Sequence, residues 1–354
     1  MDINRSKIKK IAIVAPSMRL VGGQSIQANS LIEAFAGDDE VELSVVPINP
    51  SVFFENIKIL RTIFTSMKFW KLLFRVISKV DAVQIFSAAG SGYLIATIPP
   101  LFIAKLFRKK TILNYHSGEL ERHIQSWKLT AKPTMKLFDK IVVPSGFLVE
   151  KFAEFGLEAV AISNFVDTDK FAFQTRNVLK PVFLSNRNFD SHYNVEDVLR
   201  AFQLIQKQIP ESELLIAGFG PKEAQLRQLT TQLRLKNVDF LGRIENQNMP
   251  EIYSRADIYL NASIVDNMPL SFIEALASGL PIVSYATGGI PFIIDDGKTG
   301  LLVPTGDYKA LADKSIWLIE NSTEAQKLIQ NGRKEVEKYS KAKVKAGWRK
   351  FYLD

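Results

Sequence analysis

Residues 257–306 read DIYLNASIVDNMPLSFIEALASGLPIVSYATGGIPFIIDDGKTGLLVPTG. Asp257 to Asn261 is a short run of alternating apolar and polar residues, which predicts a strand. Ser263 to Pro269 breaks that pattern with cap formers, an Asp-Asn pair and a proline. Leu270 to Ser278 has helical spacing. Gly279 follows as a C-terminal cap, and Pro281 stops any continuation. Ile282 to Tyr285 is the next strand. Strand, loop, helix, strand is the unit of a parallel sheet.

The loop carries the chemistry. The first N–H groups of the helix have no intrahelical partner and suit an anion such as phosphate. Asp266 precedes the helix, and Glu274 sits about one turn inside it. Two carboxylates beside an anion-binding end are unfavourable unless they hold hydroxyl groups. For a lone Asp and a lone Glu, the ordinary reading is a helix cap and a solvated side chain.

The stretch does not stand alone. Asp266 and Glu274 bracket seven residues. Then come Ala277-Ser278-Gly279-Leu280-Pro281, Thr287-Gly288-Gly289-Ile290-Pro291 and Thr299-Gly300-Leu301-Leu302-Val303-Pro304. This ordered series resembles the C-terminal signature of family 4 of the GT-B glycosyltransferases, the retaining group that includes many bacterial polysaccharide and lipopolysaccharide transferases. That family has Glu where this chain has Asp266. Asp is shorter by one methylene, about 1.5 Å of reach.

The chain has 354 residues, which suits two domains, and 47% hydrophobic residues, which suits a fully folded protein. It has no cysteine, so it has neither a disulfide framework nor thiol chemistry. The N-terminal MDINRSKIKK lacks the apolar core and cleavage site of a signal peptide. No apolar run reaches the ~20 residues that span a bilayer. The expectation is a cytoplasmic protein, peripheral at most on the inner face of the cell membrane. The net charge is +8, and residues 1–160 carry most of it, with 21 Lys and Arg against 14 Asp and Glu. Nucleic acid is disfavoured as the partner, because neither a zinc spacing nor an RNP-type aromatic run is present.

Two α/β halves are expected. In the first, Ile11 to Ala15 is a strand. The loop Pro16 to Ser25 then opens a helix from Ile26 to Phe35, and Gly22 and Gly23 lie in that loop. A lone Gly-Gly is more often turn chemistry than a ligand site. Further strands are expected at Leu43–Ile48, Ala82–Phe86, Thr111–Tyr115, Lys140–Val143 and Ala159–Ile162. In the second half, strands are expected at Pro181–Ser185, Glu213–Ala217 and Asp239–Leu241. Helices are expected at Val195–Gln206 and Lys222–Leu233, and a terminal helix at Lys343–Leu353.

The stretch Phe53 to Lys79 has six basic residues and one acidic. Lys68, Lys71, Arg75 and Lys79 recur at helical spacing, with Phe69, Leu72, Leu73, Val76 and Ile77 on other faces. One reading is a packed helix with a solvated basic face. The other is an amphipathic helix docked on an anionic bilayer. Phe102 to Lys110 adds a second basic and apolar patch. His116 ends a strand, where ligands bind in open α/β sheets. A lone His is more often a hydrogen-bonded structural residue, and His123 and His192 are read that way.

The resemblance implies more. The fold would be α/β of the GT-B class, two Rossmann-like domains with parallel sheets facing across a cleft. The acceptor-side domain would be residues 1–163, with a helix at 340–354 crossing back to it. The nucleotide-sugar domain would be residues 164–339. The reaction would be retaining hexosyl transfer from a nucleotide-diphosphate sugar, a UDP-sugar first of all, to a glycan or polyprenyl-lipid-linked acceptor. His116, Arg187, Asp266 and Glu274 would be catalytic. Gly22, Gly23, Gly218, Gly242, Arg243, Ile244, Asn267, Met268, Pro269 and Leu270 would line the donor. The base would lie near Gly242 to Ile244, the ribose on Glu274, and the diphosphate by Arg187. The family follows its Arg with a Lys-Gly pair, but this chain has His192-Tyr193-Asn194, without the Lys.

Neither a cofactor nor a metal is expected. Asp295-Asp296, in a turn before Gly297, reads as solvated. Three other readings compete with this one. A glycosidase needs an acid and a nucleophile across one bond, and nothing places them so. An NAD-dependent oxidoreductase lacks its fingerprint glycines. A non-catalytic nucleotide-sugar or polysaccharide binding protein of the same fold stays open.

Overall fold

Strand formation follows the apolar runs. The computed structural model describes residues 8–19, 22–53, 57–87 and 89–354, with the backbone alone at Lys58 and Ser91. The signal-peptide reading of residues 1–7, Leu20 and Val21 of the first loop, and residues 54–56 of the basic stretch lie outside the described residues. The first six strands are β1 (Lys9–Ala15), β2 (Val41–Pro47), β3 (Ala82–Ser87), β4 (Lys110–Tyr115), β5 (Lys140–Val143) and β6 (Val160–Ala161). They form one parallel sheet in the order β2-β1-β3-β4-β5-β6. The next six are β7 (Val182–Ser185), β8 (Glu213–Ala217), β9 (Val238–Gly242), β10 (Ile258–Asn261), β11 (Ile282–Tyr285) and β12 (Leu301–Val303). They form a second parallel sheet in the order β12-β11-β10-β7-β8-β9.

Helices pack on the sheets, so the inner strands β1, β3, β4, β5, β7, β8, β10 and β11 are mostly apolar and buried, whereas the edge strands β2, β6 and β9 are largely exposed or half-buried. This is the α/β, GT-B class of fold expected from the sequence. The chain divides into two compact units. The first contains residues 1–165 and 342–354, and the second residues 166–341.

In the first unit the terminal helix, Lys341–Leu353, brings Val344, Trp348 and Tyr352 against Ala28, Leu31 and Phe35 on one face of the sheet. Asp38 receives Lys345 at 3.0 Å and also pairs with Arg349. The first helix runs Gly23–Ala34 and begins three residues before the expected start. Its early start is supported locally: the Gly22 N–H donates to Ser25 Oγ at 2.9 Å.

In the second unit the helix Leu270–Ala277 buries Phe272, Ile273 and Leu276 under the sheet, and Gly279 takes the left-handed cap conformation with φ of 75°. Two longer helices, Tyr308–Glu320 and Ser322–Val336, complete the layers.

Candidate functional site

The strand order of the second sheet reverses between β10 and β7, which are hydrogen-bonded neighbours. The loops leaving their carboxyl ends therefore lie side by side. Crevices at such switch points are where open α/β sheets bind ligands. Asn186 and Arg187 leave β7, and Ala262 to Pro269 leave β10.

Neither Asp266 nor Asn267 caps the helix that follows. Pro269 is the N-cap residue, and no side chain caps there. The Asp266 carboxylate is used otherwise. It is ion-paired with Arg187 Nη2, and its Oδ1 accepts the Asn267 N–H at 2.9 Å. The two side chains are 10% and 11% exposed, so the pair is nearly dry. Burial raises the Asp266 carboxyl above its ordinary value, against the pull of Arg187. Burial opposes the charge on Arg187 most strongly of any single cause, but Asp266 together with Tyr259, Tyr193 and Tyr253 outweighs it and raises the guanidinium. Arg187 Nη1 donates to Ser271 Oγ at 3.1 Å, and its guanidinium lies 4.2 Å from the centre of the Tyr193 ring. Arg187 Nε is buried without a hydrogen-bond partner among the described residues.

Asn194 has φ of 47° and ψ of 47°, the left-handed conformation that glycine adopts without strain. Asn194 thus has the backbone a glycine would take, and the residue before it is Tyr193. The Tyr193 ring, and not a second cation, faces the Arg187 guanidinium.

Glu274 does not touch Arg187, yet one run of hydrogen bonds joins them. The Tyr259 hydroxyl lies 2.9 Å from Ser271 Oγ and 2.7 Å from Asn186 Oδ1. It has a single proton, and an amide oxygen can only accept, so the Ser271 hydroxyl supplies the proton of the other contact. Asn186 Nδ2 donates to the Tyr253 hydroxyl at 2.8 Å, and that hydroxyl donates to Glu274 Oε2 at 2.8 Å. Every link donates in one direction, from the Arg187 cation to the Glu274 carboxylate. Tyr253 and Tyr259 are fully buried. Burial raises the Glu274 carboxyl too, against the Tyr253 hydrogen bond and the Arg187 charge. Asn186, Tyr253, Tyr259 and Ser271 were not singled out from the sequence. The available signal was a buried tyrosine hydroxyl, which needs a partner.

Glycines let these loops meet. A Cβ on Gly288 would stand 2.0 Å from the Asp266 carbonyl oxygen, and one on Gly289 would stand 1.7 Å from that of Asn267. A Cβ on Gly218 would stand 2.2 Å from the Arg187 carbonyl oxygen. Gly218 therefore has a packing role that places the Arg187 backbone. Met268 packs in the hydrophobic core under the sheet, and Leu270 packs against it.

Gly242, Arg243 and Ile244 are not beside the ion pair. They close β9, the edge strand, two strands or roughly 10 Å from β7. Gly242 has φ of 67° and open space around it. Arg243 is exposed and covers the Phe219 ring at 5.1 Å, and Ile244 packs on the core.

Gly22, Gly23 and His116 belong to the first unit. Gly22 caps the first helix, and Gly23 is its first residue. His116 follows β4. Its backbone N–H donates to the Ser87 carbonyl at 3.0 Å, and its ring stacks on Phe86 at 5.3 Å. Burial lowers the imidazole to about 4, so it is neutral at pH 7. Its Nε2 is buried without a hydrogen-bond partner among the described residues and lines a small cavity with Gln27, Asn114 and Asn164. His123 is buried and lies 3.1 Å from the Tyr115 hydroxyl. His192 uses its backbone, with its carbonyl accepting the Ile264 N–H at 2.8 Å.

The basic stretch forms one helix, Lys58–Ile77. Phe69, Leu73 and Ile77 pack into the core of the first unit. A second apolar stripe stays outside, with Ile59 73% and Met67 62% exposed and Phe64, Trp70 and Phe74 beside them. Phe74 meets the exposed Phe107 ring edge-on at 6.1 Å, which extends the patch towards Phe102 and Leu106. Lys68, Lys71 and Arg75 line a groove of about 910 Å³ together with Phe53, Phe64 and Met67. Among the described residues no helix is long and apolar enough to cross a membrane.

Residues 167–335 match the family described as Glycosyl transferases group 1. An N-acetyl-alpha-D-glucosaminyl L-malate synthase of Bacillus anthracis is 31% identical over 169 residues, which are 47% of this chain and 44% of that protein. The sulfoquinovosyl transferase SQD2 of Arabidopsis thaliana is 25% identical over 291 residues, 75% of this chain and 56% of that one. The chain thus spans about half the length of these curated relatives. Among solved structures, Anabaena HepE in complex with UDP-glucose superposes with a TM-score of 0.73 at 15% identity, covering 97% of this chain and 98% of that chain. The matched segment holds the Arg187–Asp266 pair, Glu274 and the three glycines packed beneath them. The similarity of this chain to the group 1 glycosyl transferases therefore rests on residues 167–335, where the family match lies.

Proposed function

We propose that the protein is a retaining hexosyltransferase of the family 4 type, moving a sugar from a nucleotide-diphosphate donor to a hydroxyl of a glycan or a polyprenyl-linked lipid. The observation that carries this reading is the Arg187–Asp266 pair at the switch point, joined by hydrogen bonds to Glu274. Arg187 meets the donor diphosphate, together with the first N–H groups of the Leu270–Ala277 helix. Glu274 accepts the ribose hydroxyls. UDP is the nucleotide we propose, the one in the HepE complex.

In the transfer, the bond from the anomeric carbon to the phosphate oxygen breaks. The acceptor oxygen bonds to that carbon on the same face, and the acceptor proton passes to the departing phosphate. Arg187 stabilises the charge that develops there. A neutral His116 can accept a hydrogen bond from a sugar hydroxyl. Charge neutralisation by Arg187 and helix N–H groups makes a resident metal unnecessary. The exposed stripe on Lys58–Ile77, apolar and flanked by Lys68, Lys71 and Arg75, docks the protein on an anionic bilayer.

The test is turnover of a nucleotide-sugar panel, followed by release of nucleoside diphosphate. Release with one donor, raised by acceptor, is the expected result. Binding without release with any donor and acceptor favours a non-catalytic nucleotide-sugar binder, and neither binding nor release removes both readings.

A further inference from the structure

We infer that Tyr253 is a positioning residue for donor binding. Its hydroxyl holds the Glu274 carboxylate as the last link of the buried donor chain that starts at Arg187. The inference rests on the reading that Glu274 accepts the donor's ribose hydroxyls. It goes beyond that reading because Tyr253, fully buried, acts through Glu274.

The geometry supplies the argument. Glu274 lies on the Leu270–Ala277 helix, and Tyr253 comes from another helix, Met249–Arg255. The Tyr253 ring is fully buried, edge-on to Phe171 at 5.4 Å and stacked on Tyr259 at 6.3 Å. It cannot swing away. Its hydroxyl lies 2.8 Å from Glu274 Oε2, 2.8 Å from Asn186 Nδ2 and 3.0 Å from the Ser271 carbonyl oxygen. A carboxylate on a helix surface has rotamers to choose from, and this contact selects one. Asn186 donates to the same hydroxyl, which strengthens it as a donor. The guanidinium at the far end favours a negative charge at the near end. Position and ionisation of Glu274 are therefore set from the direction of the phosphate site.

Several titratable groups on the elements packed against this helix have partners of their own. Arg187 is paired with Asp266. Lys170 is paired with Asp167 at 3.0 Å, and Arg333 lies over the Phe173 ring at 4.4 Å. Tyr285 of β11 donates to Asp197 at 2.8 Å. Among the described residues, Tyr253 is the side chain that hydrogen-bonds the Glu274 carboxylate.

The experiment uses UDP as the probe and measures its affinity from pH 5 to pH 8 with the whole chain. In the wild type, affinity falls on the acid side as Glu274 takes a proton and can no longer accept from both ribose hydroxyls. Tyr253→Phe removes one oxygen and keeps the ring. The expected result is weaker binding at pH 7, with the acid-side midpoint moved up by about half a unit to one unit, the reach of one hydrogen bond to a charged group. Titration of the UDP phosphate is common to both proteins and drops out of the comparison. Asn186→Ala breaks the chain one link earlier, and a smaller shift in the same direction is expected. It carries the test if Tyr253→Phe does not fold. Tyr352→Phe is the control, another buried phenol, bonded to Gln84 at 2.6 Å in the other unit.

An unmoved midpoint in Tyr253→Phe, or an equal shift in Tyr352→Phe, overturns the inference while UDP still binds the wild type. A wild type that binds no UDP overturns the nucleotide reading first, and the inference with it.

Discussion

Gly289 stands against Asn267 so closely that a Cβ there would lie 1.7 Å from the Asn267 carbonyl oxygen. The contact is reinforced by the Gly289 N–H, which donates to the Asp266 carbonyl at 3.0 Å. The Gly288-Gly289 pair of the sequence signature is therefore a seat for the loop that carries Asp266. Gly289→Ala should push that loop away. We expect a cost of ~1–3 kcal/mol, typical of overpacking, seen as a lower melting temperature, together with weaker UDP binding. Wild-type melting and binding would show that the loop yields without consequence.

Arg187 should be hard to replace. On the proposed reading a diphosphate brings negative charge to a site where Arg187 is faced by the Tyr193 ring and not by a second cation. A guanidinium can grip phosphate and carboxylate in a fork, which an ammonium cannot. Arg187→Lys is expected to lower kcat/KM at least about tenfold, or ~1.4 kcal/mol of transition-state stabilisation. Arg187→Ala should cost more, because it also strands the buried Asp266 carboxylate. A second cation belongs at Tyr193, not at Asn194, whose left-handed backbone suits glycine. Steady-state kinetics of Arg187→Lys decides this, and an unchanged kcat/KM moves the phosphate site elsewhere.

These two residues also show what was legible in the sequence. The strands β5, β8 and β11 occupy the residues expected for them, because each is a short apolar run between breakers. The carboxylates were legible through their spacing. The partners of those carboxylates were not. Tyr253, Tyr259 and Ser271 lie among apolar residues and read as core, and their hydroxyls acquire meaning only when the β7 and β10 loops meet. Met268, expected at the donor, is core for the same reason: the motif places a residue in the loop but does not set which way its side chain turns. The helices Tyr308–Glu320 and Ser322–Val336 mix Lys, Asp, Glu and Ser with their apolar stripe, which hid them.

A metal requirement would contradict the proposed phosphate chemistry. Arg187 and helix N–H groups are expected to suffice, so activity should survive EDTA. Full loss with chelator, restored by magnesium or manganese, would show that a cation shares the diphosphate with Arg187.

The terminal helix should respond to acid through Asp38. Burial raises this carboxyl, but hydrogen bonds from Lys345 and Arg349 outweigh it and hold it at about 2. A depressed carboxylate stabilises the fold above its unfolded value, near 4, and the contribution fades as pH falls from there towards about 2. Asp38→Asn should therefore melt below the wild type at pH 7, with the gap closing between about pH 4 and pH 2. A gap that is constant with pH would assign the loss to packing instead of charge.

The membrane proposal turns on the helix Lys58–Ile77, because the same helix serves two surfaces. Phe69, Leu73 and Ile77 are spent on the core, so the exposed stripe of Ile59, Ile63, Met67, Trp70 and Phe74 is surplus to folding. Exposed apolar side chains beside Lys68, Lys71 and Arg75 suit an interface where the rings enter the headgroup layer and the cations meet lipid phosphate. Each cation near an anionic surface adds about 1 kcal/mol, and salt screens it. Co-sedimentation should therefore require anionic lipid in the vesicles and weaken with added salt. Lys71→Glu with Arg75→Glu should abolish it, and Trp70→Ala with Phe74→Ala should weaken it while leaving the salt dependence. All four side chains are exposed, so the melting temperature of each double variant should stay near that of the wild type. Equal binding to neutral vesicles, or none to either, would leave the helix as a packed element with a solvated face.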